Sequence, residues 1–124
     1  MVGIVKVDTL QNNAGTSSVG MDYVVNGSAK AWCDLIFSHD SYNDSLNFSS
    51  LTDNGTGDGT GTFTSAFAND DYAPTCSMKS GGSTNRNAVV NTVTTTTIQM
   101  VTGLTASDSK QDYNSAYIIC GDLA

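Results

Sequence analysis

The sequence predicts an all-β protein, an antiparallel β-sandwich or jelly-roll-like domain, and three observations lead there. Glu is absent and Lys and Arg total only five in 124 residues, so the straight-chain residues that clothe helical surfaces are missing. Thr, Val, Ile, Phe and Tyr recur in short runs, which fit a pleated, half-buried surface. Between those runs stand clusters of Gly, Asn, Asp and Ser, the residues of tight turns. Turn signals spaced by roughly 8–12 residues are those of a sandwich rather than of alternating strands and helices. No fixed period repeats along the chain, which excludes a solenoid.

Gly3 to Leu10 alternates loosely and reads as a first strand, followed by a polar connector from Gln11 to Gly20. Tyr23-Val24-Val25 is a short extended piece closed by the Asn26-Gly27 turn signal. Ala29 to Phe37 is the next strand. Ala31, Cys33, Leu35 and Phe37 share one face, while Trp32 and Ile36 occupy the other. Apolar residues on both faces imply that both are covered, by this chain or by a neighbouring one.

His39 to Ser45 reads as a polar loop. Leu46 to Thr52 and Gly61 to Phe67 then flank Asp53-Asn54-Gly55-Thr56-Gly57-Asp58-Gly59, which is a hairpin. Leu46 and Phe48 have one parity and Leu51 the other, so a bulge is expected at Ser49-Ser50. Phe63 and Phe67 share a face. Asn69 to Pro74 is a second turn, its single proline suited to an edge or a strand start. Thr75 to Met78 is a short strand and Lys79 to Arg86 a loop. Val89 to Val101 reads as one long β-branched strand that includes Thr94 to Thr97, and Tyr113 to Cys120 as the last strand, with Tyr113, Ser115, Tyr117 and Ile119 on one face.

Composition narrows the function classes. The formal charge of −7 repels phosphate backbones, so nucleic acid is not an expected partner. No apolar run is long enough for a membrane-spanning helix, no polybasic segment would hold anionic lipid, and the apolar stretch after Met1 is too short for a signal peptide. Met1 reads as a native start, and the chain as a soluble protein made in a cytoplasm. Cys33, Cys76 and Cys120 are widely spaced and odd in number, which reads as buried free thiols rather than a disulfide framework or a zinc site.

Chemistry-bearing constellations are sparse. His39 is the only histidine and has no nucleophile motif near it, so it reads as a loop residue. Glycosidase chemistry would need an Asp pair; Asp53 with Asp58, and Asp70 with Asp71, are better read as turn caps. The Asp53–Asp58 loop offers oxygen ligands for calcium but lacks the calcium-loop spacing, and reads as an Asx-type hairpin turn. The expectation is a non-enzymatic protein without cofactor or metal. Tyr42, Tyr72, Tyr113, Lys79 and Arg86 are the candidate receptor contacts, because aromatic rings stack on sugars and polar side chains bond their hydroxyls.

The order Lys6-Val7-Asp8-Thr9-Leu10-Gln11-Asn12, then Val24 to Trp32, then Leu46 to Asp58, resembles phage tail-fibre-like and virion appendage proteins, particularly of phages that infect aquatic bacteria, cyanophages included. The likeness runs along nearly the whole chain and is strongest from residue 6 to about 72. The chain departs from the pattern in the apolar Cys33–His39 stretch and in the light Gly59-Thr60-Gly61-Thr62 strand.

The resemblance implies a homotrimer located on the phage tail or capsid exterior and assembled in the host cytoplasm. Residues 1–30 would form an attachment or intertwining segment and residues 31–124 the sandwich. Val5, Val7, Leu10 and Trp32 would lie at the trimer interface. Expected partners are tail, baseplate or capsid proteins and a host surface glycan. The implied function is a short tail fibre or fibre tip that adheres to the host by multivalent binding; the alternative is a capsid decoration or cement protein. A carbohydrate-binding accessory to an enzyme ranks behind both.

Overall fold

The computed structural model describes residues 3–36, 40–79, 85–107 and 109–124. Two four-stranded antiparallel sheets face each other. The first contains β3 (Ala29–Leu35), β4 (Tyr42–Leu46), β7 (Ala73–Met78) and β10 (Ser115–Cys120), in the order β4-β3-β10-β7. The second contains β5 (Phe48–Gly55), β6 (Asp58–Phe63), β8 (Arg86–Val93) and β9 (Thr97–Leu104), in the order β5-β6-β9-β8. Three hairpins are local, and β10 returns from the end of the chain to sit between β3 and β7. The protein is thus a β-sandwich, as its composition predicts.

Ahead of it stands an arm. β1 (Thr9–Gln11) and β2 (Ser18–Gly20) pair with each other only, and α1 (Met21–Gly27) follows. Among the described residues every buried side chain lies between Ala31 and Ile119.

The core forms where the two sheets' inward parities meet. Ala31, Cys33, Leu35, Tyr117 and Ile119 face Phe63, Ile98 and Met100, all buried, and Cys33 Sγ lies 3.8 Å from Met100 Sδ between the layers. Five rings form a continuous chain through the interior: Tyr42 to Phe48 (5.2 Å), Phe48 to Phe63 (5.1 Å), Phe63 to Phe67 (4.9 Å) and Phe67 to Tyr72 (4.4 Å). Such pairs contribute about 0.5–1.5 kcal/mol each beyond the area they bury. In a chain so rich in Ser, Thr, Asn and Gly, these rings supply much of the core's bulk.

Several elements differ from the sequence reading. Tyr23-Val24-Val25 belongs to α1, with Asp22 in the first turn where it complements the helix dipole; Gly27 ends that helix instead of making a turn between strands. Of the expected first strand only Thr9 and Leu10 are strand, and the connector after it supplies Gln11 to β1 and contains β2. The polar stretch before Leu46 is β4. Asn47, at φ +62°, breaks the chain between Leu46 and Phe48 and sends them to different sheets. Its amide is pinned there, with Oδ1 accepting from Ser65 N (2.7 Å) and Nδ2 donating to Ser65 O (3.1 Å).

Beyond Asn47 the register shifts between Phe48 and Ser50, the bulge expected from the parity change. The long Val89–Val101 strand is two strands joined by a turn. Thr94 Oγ1 accepts the backbone N–H groups of Thr96 (3.2 Å) and Thr97 (2.9 Å), so a hydroxyl closes the turn that β-propensity alone would have continued. Phe37, His39 and the centre of the Lys79–Arg86 loop lie outside the described residues.

Candidate functional site

The register of β10 defines the two ends of the sandwich. Ser115 pairs with Leu35 and Met78, whereas Cys120 pairs with Ala29 and Ala73. The arm therefore enters at the Cys120 end. Lys79, Arg86 and Tyr113 collect at the Ser115 end.

There the backbone N–H of Lys79 donates to Asn114 O (2.8 Å), which sets Lys79 beside Tyr113. The Lys79 ammonium pairs with Asp34 on β3. The Arg86 guanidinium lies 4.2 Å from the centre of the Tyr113 ring, a cation–π contact. Three of the five candidate receptor residues thus share one end, drawn from β8 and from the segments flanking β7 and β10.

The other two do not add to that surface, although Tyr42 pairs with Leu35 at the same end. Tyr42 turns inward, its ring against Phe48 and its hydroxyl donating to Ser50 O (3.3 Å). Burial of that phenol, with a smaller contribution from Cys33, raises its pKa. Tyr72 lies at the opposite end and is buried at 6% exposure. Its hydroxyl is within 3.1 Å of both Thr94 O and Thr97 O, and burial pushes its pKa up to about 12 despite the hydrogen bond to Thr94. Tyr72 is a core residue that clamps the β8–β9 turn, so the receptor-contact expectation for it is corrected.

Next to the Lys79–Arg86–Tyr113 end, a polar network that the sequence did not disclose holds the tip of the β5–β6 hairpin. Asp58 accepts from Gln99 Nε2 (2.8 and 3.0 Å), from Asn54 Nδ2 (3.0 Å) and from the Lys110 ammonium. Burial alone would raise this carboxyl. The hydrogen bonds from Lys110, Gln99 and Asn54, with the Lys110 charge, outweigh it and hold the carboxyl below its ordinary value. Gly57 N donates to Asp112 Oδ1 (2.6 Å), and Gly57 O accepts from Thr102 N (2.9 Å). The segment between β9 and β10 is thereby fastened across the hairpin tip.

Asp53, the other acid of that hairpin, accepts from Gly55 N (2.8 Å), an Asx turn. The two carboxylates engage different partners, and no group of three or more His, Cys, Asp or Glu among the described residues is placed to hold a metal ion. A shallow hollow beside the network, of about 150 Å³, is lined by Asn87, Val89, Gly103, Leu104, Ser109 and Lys110.

The arm end has a different chemistry. Ile4 is 76% exposed and Val5 84%, and Val7 and Leu10 are also exposed. On the outer face of the first sheet, β4, β3 and β10 place Leu46, Trp32 and Ile118 side by side. Leu46 (48%) and Ile118 (51%) are exposed; Trp32 between them is half-buried. Beside Leu46 a groove is lined by Ala29, Lys30, Asn47, Thr64, Ser65 and Leu123. Of the four expected interface residues, Val5, Val7 and Leu10 are on the arm and Trp32 is in this row. Parity separated Trp32 from the face of Ala31, Cys33 and Leu35, but its flanking partners follow only from strand pairing. Set against known protein families, curated proteins and solved structures, the chain matches none.

Proposed function

We propose that the protein is a structural component of a bacteriophage virion, a short tail fibre or fibre-tip protein that adheres to the host surface by multivalent binding. The observation that carries the reading is the sandwich's polarity. An apolar, uncovered arm leaves one end, while Lys79, Arg86 and Tyr113 gather at the other. An attachment segment and a recognition end belong at opposite ends of an appendage. The resemblance of residues 6 to about 72 to tail-fibre-like proteins supports the same assignment.

In this reading the arm joins sister chains and virion proteins, and the Tyr113–Arg86 pair with its polar surroundings meets host glycan. Each such site is small and weak, and several copies on one particle raise avidity without new contacts. The role includes no chemical step.

The test is the solution mass by light scattering after size-exclusion chromatography, followed by host-cell binding. The reading expects three chains per particle, three times 12.9 kDa, and binding that falls in the Arg86→Ala, Tyr113→Ala double variant while the mass stays trimeric. A trimer whose host binding is unchanged in that variant would remove the recognition role. A clean monomer would favour the second reading, a capsid decoration or cement protein, in which the same arm docks on the capsid lattice instead of on sister chains.

A further inference from the structure

We infer that the outer face of the first sheet is the docking surface for the N-terminal arm of a second copy of this chain. The inference rests on the oligomeric part of the reading above and names the surface that would make the oligomer. It starts from where the monomer leaves apolar side chains uncovered. Among the described residues, and apart from Val89, the large apolar residues that the sandwich itself exposes are Leu46, Ile118 and Leu123. All three lie near the root of the arm. Leu46 and Ile118 flank Trp32 in one cross-strand row, and Leu46 and Leu123 share the groove with Ala29. A row of this kind running into a groove presents a continuous apolar track, unlike scattered single residues.

The arm is the matching element. It carries Ile4, Val5, Val7 and Leu10, all exposed, in a segment whose only strand pairing among the described residues is the short β1–β2 ladder. A lone two-stranded hairpin has little stability in water, so its apolar side chains need another surface. Its own sandwich does not cover them: Ile4, Val5, Val7 and Leu10 are all exposed with the arm in place. The Lys30 ammonium holds the C-terminal turn of α1 through Val25 O and Ser28 O. Met21 N donates to Asp8 O (2.9 Å), which ties the hairpin to the start of α1. A single extended residue, Ser28, joins that unit to β3. Among the described residues the arm shares no sheet with the body that carries it, and its apolar side chains remain uncovered.

Charge points to the same occupant. Beside the Leu46–Trp32–Ile118 row, Asp44 and Asp34 sit directly opposite each other on β4 and β3. Lys79 pairs with Asp34, which leaves the row with an excess negative charge, and like charges across a ladder repel. The arm brings Lys6 between Val5 and Val7. Ile4 and Lys6 share one side of an extended arm, so docking Ile4 on the apolar row would set the Lys6 ammonium toward the acidic row two residues along β3 and β4. β4 is also the terminal strand of its sheet, so its outer backbone edge is available to an added strand. Arm and face are both present on every copy, and reciprocal docking can close into a symmetric ring.

The test is complementation between two full-length variants measured by light scattering. One carries Ile4→Asp and Val5→Asp on the arm; the other carries Leu46→Lys and Ile118→Lys on the face. Each alone is expected to run as a 12.9 kDa chain with unchanged far-ultraviolet circular dichroism. Mixed one to one, the intact arm of the face variant should dock on the intact face of the arm variant, and a two-chain species should appear. Should the Lys pair fail to fold, Leu46→Thr with Ile118→Thr keeps strand-compatible side chains and serves in its place. A mixture that stays monomeric would overturn the inference. So would an oligomer that survives the folded face variant, while leaving the fibre reading standing. A wild-type monomer at all concentrations would overturn both.

Discussion

Gly57→Ala tests the fastening of the β5–β6 hairpin tip. Gly57 has φ +66°, and an added Cβ would lie 2.4 Å from Thr102 O, 2.6 Å from Gln111 N and 2.8 Å from Gln111 O. All three are backbone atoms on the far side of the tip, so no side chain can swing aside. The left-handed backbone alone costs an alanine about 1–2 kcal/mol. Relief of the clash requires the tip to lift from β9 and from the segment after it. That breaks the Thr102 N–H bond to Gly57 O, worth about 1 kcal/mol, and the bond from Gly57 N to the Asp112 carboxylate, worth about 1.5–3 kcal/mol. The sum is about 3.5–6 kcal/mol, a large share of the roughly 5–15 kcal/mol by which a domain of this kind is stable. The assay is urea unfolding followed by Trp32 fluorescence, at one protein concentration because association would shift the midpoint. Gly55→Ala is the control: Gly55 also has positive φ, at +114°, but nothing lies within 4 Å of its added Cβ. It should incur backbone strain without a clash, at a cost of about 1–3 kcal/mol. If Gly57→Ala proves no more destabilising than Gly55→Ala, the tip is not clamped and the reasoning fails.

Three further outcomes are expected. Asp58 has a folded-state pKa below its ordinary 3.8, so it contributes stability above that value and loses it as pH falls through the lower, folded one; the urea midpoint should drop in that acid range in the wild type and change less in Asp58→Asn. Tyr72→Phe removes the hydroxyl that holds Thr94 O and Thr97 O and should cost about 1–2 kcal/mol in the same assay. Because the folded Tyr72 phenol is raised from 10.0 to about 12, stability should also decline as pH rises through that window, less steeply in Tyr72→Phe. Cys33 is buried and its thiol is pushed up to about 12, chiefly by burial and then by Asp34; a thiol reagent at pH 8 should leave Cys33 unlabelled in the native protein and modify it only after denaturation, as peptide mapping would show.

The parts of the fold legible in the sequence were those that depend on neighbours along the chain. The parity change at Ser49-Ser50 announced a bulge because the side-chain period of a strand is two. The inward parity of Ala31, Cys33 and Leu35 survives unchanged in the core. Local reading failed where a side chain bonds the backbone instead of following its propensity. Thr94 is a good strand former, yet its hydroxyl closes a turn. Asn47 tolerates positive φ and redirects the chain between sheets. Tyr72 sits among turn residues and resembled an exposed loop aromatic, but Phe63 and Phe67 turn toward the same spot and enclose it.

The candidate surfaces were illegible for a different reason. Leu46, Trp32 and Ile118 come from three segments far apart in sequence, and only the pairing of β4, β3 and β10 makes them neighbours. The Arg86–Tyr113 contact likewise joins the start of β8 to the approach to β10. A composition this polar gives few apolar residues to spend on surfaces, yet most of those left exposed fall on the arm and beside its root, with the cation–aromatic cluster at the far end. A monomer that needed only to stay soluble would gain nothing from gathering them there. That uneven placement is what the proposed assembly would account for and a free-standing domain would not.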